Sequence, residues 1–299
     1  MIKKYSNKTL RIIISGILCL LIAYVACSCT QKEPEEEIYT ITQYGDYEDR
    51  QHMFYTIEDS KKNLIIIDGG WDSEADTVRE VISQYNNHVS AWIITHPHPD
   101  HAGAFNVIAA EPGDIVIDEI YTVDVNYERY KETAHYWDAI EVYEVFSSLI
   151  PEMDNVYLVH EGDYFSCLGL DFNVIHAWDD FVDTFNNNLC NKGSMCFVVS
   201  GEENSMLFMA DTESPVEDEI LNRHKDELDV DYIQLGHHGN WGPTTKFYDN
   251  TNPRAVFFDS TRFIFESEGY DASELKAYFE NRGIDIYTFE TQPNQVELK

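Results

Sequence analysis

Apolar and polar positions along the chain follow two rhythms. EIYTITQY (37–44), HMFYTIED (52–59) and NLIIIDGG (63–70) predict three strands in direct succession, which favours antiparallel pairing. DSEADTVREVISQYNN (72–87) has helical spacing, with Ser73 as a candidate N-cap and Asp76 three residues on. VSAWIITH (89–96) is apolar at nearly every position and predicts a strand buried on both faces. HAGAFNVIAA (101–110) predicts a short helix, DIVIDEIYTV (114–123) a strand, and YERYKETAHYWDAIEVYEVFSSLI (127–150) one long helix. Its aromatics, Tyr130, Tyr136, Trp137 and Tyr143, suit a core or a groove wall.

Strand patterns return over 155–177, and SMCFVVSGEENSMLFMAD (194–211) predicts a hairpin turning at GEEN. TESPVEDEILNRH (212–224) and SELKAYFENRG (273–283) predict helices. VDYIQLGHHG (230–239), PRAVFFDS (253–260), IDIYTFET (284–291) and QVEL (295–298) predict strands. The whole is a mixed α/β pattern in two similar halves, with sheets inside and helices outside.

The first residues follow another pattern. A basic start (Lys3, Lys4, Lys8, Arg11) precedes an apolar run from Ile12 to Ala26, short of the roughly 20 residues that span a bilayer. Small residues and cysteines follow in VACSC, as in a bacterial lipoprotein signal whose cysteine after the cut is lipidated. Cys29, behind Ala26 and Ser28, fits that position better than Cys27, which has bulky Tyr24 three residues ahead. The expected organisation is a signal peptide over 1–28, an acidic linker over 29–37 and one domain over 38–299. The body would lie outside the cytoplasm in a bacterial envelope, held to the membrane by the N-terminal lipid alone.

Composition adds a constraint on partners. The chain has 299 residues, 43% apolar and 13% aromatic, ample for a packed core. It carries 20 Lys and Arg against 54 Asp and Glu, a net of -34. Without the four cations of the signal segment, 16 basic residues face 54 acidic ones, a net of -38. Such a surface repels a nucleic-acid backbone and otherwise serves solubility. A small-molecule substrate is therefore expected, with no protein partner inferred. Three cysteines remain in the body, Cys167, Cys190 and Cys196. A Cys190–Cys196 bridge and free buried thiols are both open to them.

The chemistry concentrates in THPHPDHAG (95–103). Residues two apart in an extended backbone point the same way, so His96 and His98 can grip one ion, while Pro97 and Pro99 stiffen the loop and delay the helix. Asp100 and His101, at the turn into the helix, can reach a second ion. Three further apolar runs end in ligand-type groups: LIIIDGG at Asp68, SMLFMADTE at Asp211 and YIQLGHHGN at His237 and His238. Strand ends so loaded are how an α/β sheet edge builds a site.

These segments resemble the metallo-β-lactamase-fold superfamily over about Ile38 to Leu298. Within it, LGHHGN, NVIHAWDD and NNNLCNKGSMCFVVS are most similar to the ComEC-type branch. The resemblance implies a four-layer αββα sandwich of two mixed β-sheets. It implies two divalent ions, zinc or in its place manganese or iron, held by His96, His98, Asp100, His101, Asp211 and His237. Asp211 would bridge the ions. Asp68 and Asn191 would support the ligands from behind, and Asp100 and His238 would handle protons and developing charge. Departures are visible. The family's third histidine for the first ion is absent, with Asn191 and Ser194 in that region and His176 or Cys190 as possible substitutes. The serine of the branch's GHHGS is Asn240, and the loop ESEGYD (266–271) lacks a histidine, which puts inherited nuclease activity in doubt.

The implied function is an exported, lipid-anchored, metal-dependent hydrolase that uses a metal-bound hydroxide on a small phosphodiester or other ester-type substrate. The second reading is a non-catalytic or weakly active metal-binding or sensory lipoprotein of the same fold.

Overall fold

Among the described residues, fourteen strands make two seven-stranded sheets with the same pairing pattern. The structure, a computed structural model, describes residues 37–46, 48, 50–291 and 293–299. The signal segment, Cys27, Cys29 and all of the acidic linker but Glu37 lie outside them. The first sheet contains β1 (Tyr39–Gln43), β2 (Phe54–Glu58), β3 (Leu64–Asp68), β4 (His88–Ile94), β5 (Val116–Val123) and β6 (Val156–Val159), with the C-terminal β14 (Asn294–Leu298) beside β1. The second runs from β7 (Tyr164–Cys167) through β8 (Leu170–His176), β9 (Cys196–Ser200), β10 (Ser205–Phe208), β11 (Tyr232–Gln234) and β12 (Ala255–Phe257) to β13 (Asp285–Tyr287). In each sheet the strands up to β3 or β10 pair antiparallel, and those after it pair parallel. The two similar halves of the sequence are therefore two equivalent sheets.

The inner faces meet in one core. Ile41, Ile57, Ile65 and Ile67 of the first sheet share it with Phe172, Val174, Phe197 and Val199 of the second. Tyr55 meets Phe208 edge-to-face across the gap, 5.3 Å between ring centroids. Helices cover the outer faces. α1 (Ala75–Ser83), α2 (Pro99–Ala110) and α4 (Ile140–Leu149) pack Val78, Ile82, Phe105, Ile108 and Phe146 onto Ile66, Trp92 and Ile94. On the other side α6 (Glu217–His224) and α9 (Ala272–Asn281) bury Ile220, Leu275 and Phe279 against Ile233 and Val256. These are the four layers of the expected αββα sandwich. Ile38–Lys299 forms one unit. Among the described residues no helix is long and apolar enough to cross a membrane.

A buried polar cluster ties the sheets together beneath the site. Asp259, just past β12, accepts from the Tyr55 hydroxyl at 2.7 Å, from Gln43 Nε2 at 2.6 Å and from Gln234 Nε2 at 2.9 Å. Burial pushes its carboxyl from an ordinary 3.8 up to about 6, because three donors replace bulk water only in part. The protonated carboxyl therefore favours the fold. Its contribution is full below pH 3.8 and lost as pH rises through about 6, roughly 3 kcal/mol in all. In chelator-treated protein, the stability of the Asp259→Asn chain relative to wild type is expected to improve by about that amount over this window. Urea unfolding at the two pH values checks it, and a constant difference would contradict it.

The chain departs from the expected elements at several points. α1 begins at Ala75 after a single 3₁₀ turn (Asp72–Glu74), and Ser73 does not cap it. The Ser73 hydroxyl instead accepts from Arg50 at 2.8 Å. α2 begins at Pro99, where the missing N–H costs nothing, so this proline starts the helix and does not delay it. The long helix expected over 127–150 is broken into α3 (Tyr127–Thr133), a 3₁₀ turn (Tyr136–Asp138) and α4. The cause is local: Ala134 turns extended, Asp138 Oδ2 accepts from the His135 N–H at 2.5 Å, and Ala139 is left-handed at φ 43°. Short helices α5 (Leu189–Lys192), α7 (Thr245–Tyr248) and α8 (Arg262–Glu266) have too few residues to show a period. Cys167, Cys190 and Cys196 are all free and buried, so Cys190 and Cys196 form no bridge.

Candidate metal centre

The sequence loads the chain ends of two strands in each sheet, and the fold brings all four ends to one place. β3 ends at Asp68, whose left-handed backbone (φ 53°) turns its carboxylate back towards the loop after β4. There it accepts from the Thr95 N–H at 2.8 Å, the Thr95 hydroxyl at 2.7 Å and His101 Nδ1 at 2.7 Å. A carboxylate only accepts, so Nδ1 carries the hydrogen and the Nε2 lone pair of His101 is free to bind a cation. The role expected of Asp68 is to orient a ligand histidine, and His101 is the histidine its carboxylate meets. Asp68→Asn keeps a residue that tolerates the left-handed backbone but weakens the acceptor. It is expected to lower metal affinity about 10–100-fold in a chelator competition, and unchanged affinity would contradict the role.

β10 leads through left-handed Ala210 (φ 47°) to Asp211, the counterpart of Asp68 in the second sheet. β11 leads into GHHG (236–239), where His237 and His238 are left-handed at φ 49° and 60°. Gly239 is also left-handed, and a Cβ there would run into the Phe258 ring. The His237 N–H donates to Ala210 O at 2.8 Å, and the Ser260 hydroxyl donates to His238 O at 2.6 Å. These bonds hold a strained turn whose two imidazoles point different ways.

Two groups of ligand atoms result. Asp100, His101, Asp211 and His238 form one, and His96, His98 and Asp211 the other, with Asp211 common to both. His101 Nε2 lies 3.1 Å from Asp211 Oδ1, and His238 Nε2 lies 3.2 Å from Asp100 Oδ2 and 3.3 Å from Asp211 Oδ2. His96 Nε2 is 3.9 Å from Asp211 Oδ2. Two ligands each about 2.1 Å from a tetrahedral ion stand about 3.4 Å apart, so these are the edge lengths of coordination polyhedra.

Nε2 of His96, His98 and His101, both ring nitrogens of His238 and Oδ1 of Asp211 are buried without an aligned hydrogen bond. Buried polar atoms without partners are rare in native proteins, and convergent ones fit divalent cations. The residues present therefore fit a pair of metal ions.

The electrostatics agree. Burial works against charge at every one of these groups, but neighbouring charges reverse it at several. Asp211 and Asp68 hold His101 well above the usual histidine range, and Asp211 and Asp100 raise His238 to about 9. His238 and His101 keep Asp100 at about 2 and Asp211 well below the usual carboxylate range. Burial, helped by the charge of neighbouring histidines, pulls His96 and His237 down. The metal-free site is thus charged with protons that a divalent cation displaces on binding.

Most of the expected site residues meet here, with one exchange. His238, not His237, completes the four-residue group. The left-handed turn aims the second imidazole inward, while His237 is half turned to the pocket, its Nε2 accepting from Asn191 Nδ2 at 3.2 Å and 3.8 Å from Asp211 Oδ2. HH repeats do not show in sequence which ring faces in. Asn191 stands beside the site as expected. A buried ion pair, Lys192 Nζ to Glu213 Oε2 at 2.6 Å, anchors its helix, and Asn191 and Asn188 both donate to Glu213 Oε1. His176 bonds Lys192 O at 2.6 Å and belongs to no group, whereas Cys190 touches His98.

A pocket of about 730 Å³ opens above the ligands. Trp71, Tyr136, Trp137, Trp241 and Phe263 form its rim, and Arg50 is the only Lys or Arg among its lining residues. That guanidinium already pairs with Asp46 at 2.8 Å. Tyr136 and Trp137, for which the sequence leaves core and groove wall both open, reach the rim because the helix breaks there, leaving them 92% and 53% exposed.

The family model of the metallo-beta-lactamase superfamily matches residues 47–176. This stretch holds Asp68 and the whole HPHPDH loop. YhfI from Bacillus subtilis, a metallo-beta-lactamase fold protein, superposes with a TM-score of 0.54 at 9% identity, over 88% of this chain and 100% of its own. This chain is a metallo-β-lactamase-fold protein. CmlA from Streptomyces venezuelae, a diiron β-hydroxylase, also superposes, with a TM-score of 0.51 at 13% identity. There the match covers 89% of this metallo-β-lactamase-fold chain and 54% of CmlA, so the chain spans about half of that protein. No curated protein matches by sequence.

Proposed function

We propose that the chain is a metal-dependent hydrolase of small ester-type substrates, phosphodiesters among them, acting as a lipoprotein of the bacterial envelope. The observation that carries the reading is the set of buried, unpartnered ligand atoms of His96, His98, His101, Asp211 and His238 under an open pocket. A bound divalent pair supplies Lewis acidity and a water acidic enough to attack near neutral pH.

The chain's own groups do the rest. Asp211 joins the two ligand groups and fixes their spacing. Asp100, between His238 and the pocket, is an ionised acceptor that can orient an attacking water. His237 lines the same pocket, where its ring can meet a leaving group or a developing negative charge. This position takes over the role read in the sequence for His238. The apolar rim excludes water and seats the organic part of the substrate.

The ComEC-type likeness favours a phosphodiester, while the pocket's single, already paired cation and the net charge of -34 disfavour a polyanion. A side-by-side screen with bis-nitrophenyl phosphate, a lactone and a β-lactam tests the reading. Turnover of at least one, lost on chelation and restored by metal, is expected. No turnover of any by metal-loaded protein would contradict it. The proposed anchor is Cys29, and the mass of the N-terminal peptide from bacterial membranes checks it, since a lipid on Cys27 or none on either would overturn it.

A further inference from the structure

We propose that Asp138 supplies the ligand that the first ion lacks, standing in for the absent third histidine. The inference rests on the two-metal reading above and deepens it. His96, His98 and Asp211 give that ion only three protein groups. Asp138 Oδ1 lies 3.5 Å from His98 Nε2, close to the edge of about 3.4 Å expected of two ligands on one tetrahedral ion, though it stands just outside the group that His96, His98 and Asp211 form. The residue is 1% exposed, and this oxygen is buried without a hydrogen-bond partner, as is the nitrogen it faces.

The rest of Asp138 is committed elsewhere. Oδ2 accepts from the His135 N–H at 2.5 Å and the backbone carbonyl accepts from the Tyr130 hydroxyl at 2.9 Å. These two anchoring contacts leave one carboxylate oxygen directed at His98 Nε2. The helix break between α3 and α4 is what delivers it, since a continuous helix has no turn at 136–138 to carry the side chain inward.

Two other groups compete for the place. His176 is spent on Lys192 O. Cys190 touches His98 and Tyr130 but sits in the apolar core with Val182 and Leu189, where a cysteine packs as a small hydrophobe. A carboxylate oxygen with no donor is the stronger claimant.

The test uses the purified full chain. Wild type and C190S are expected to hold two ions, and D138N to lose about 10–100-fold in affinity for one of them while keeping the other. A hydrogen-bonding role could weaken binding in the same way, so a second variant separates the two. In the C190S background, D138C loaded with cobalt(II) should show a near-ultraviolet thiolate-to-cobalt charge-transfer band that C190S alone lacks. Wild-type-like affinity in D138N, loss of an ion in C190S instead, or no new band would overturn the proposal while leaving the two-metal reading intact. A wild-type chain that holds no metal would overturn both.

Discussion

Asp211→Ala is expected to strip both ions and to lower kcat/KM for any substrate found by about 10³–10⁴-fold, the several kcal/mol that Lewis acidity contributes. Asp211 is the one residue common to both ligand groups, 2% exposed, and faces His96, His101, His237 and His238. Its loss leaves two imidazoles, His101 and His238, that its charge had held protonated. Removing one partner of a buried charge pair costs about 3–5 kcal/mol, so the variant should also melt earlier. Metal content and melting temperature, measured together, separate the effects. A variant that keeps two ions and full rate would show that the carboxylate bridges nothing.

The second large effect separates the paired histidines. His238→Ala should lose the ion of its group and about 10³-fold in kcat/KM, because Nε2 lies within 3.3 Å of both Asp100 and Asp211. His237→Ala should keep both ions and change kcat or KM by roughly 10–100-fold, as fits a group that meets the substrate. Chelator competition and steady-state kinetics on the two variants decide it. The reverse pattern would restore His237 as the ligand.

That exchange marks where the sequence stops being legible. HPHPDH, the aspartate closing LIIID and the aspartate after SMLFMA could be read because ligand-type groups behind apolar strands have few other uses, and the fold sets them within a few ångströms of one another. The order of layers could be read because the strands are short, apolar and regularly spaced. Which of two adjacent histidines faces inward depends on positive φ angles at both, a property of the turn and not of composition. Asp138 was hidden inside a helical period that Ala134 and left-handed Ala139 interrupt. No proline or glycine announces that break. For the same reason the sequence leaves Tyr136 and Trp137 open between core and groove wall, and the structure puts them at the pocket mouth. Helical spacing records which residues are apolar, and here tertiary demands on one carboxylate outweigh it.

The central claim is that the unpartnered atoms of His96, His98, His101, Asp211 and His238 exist to hold metal. Elemental analysis of the chain purified without chelator tests it directly. The account predicts about two divalent ions per chain, reduced to about none in Asp211→Ala. A wild-type chain that comes out metal-free and stays so after dialysis against zinc, manganese or iron would contradict it.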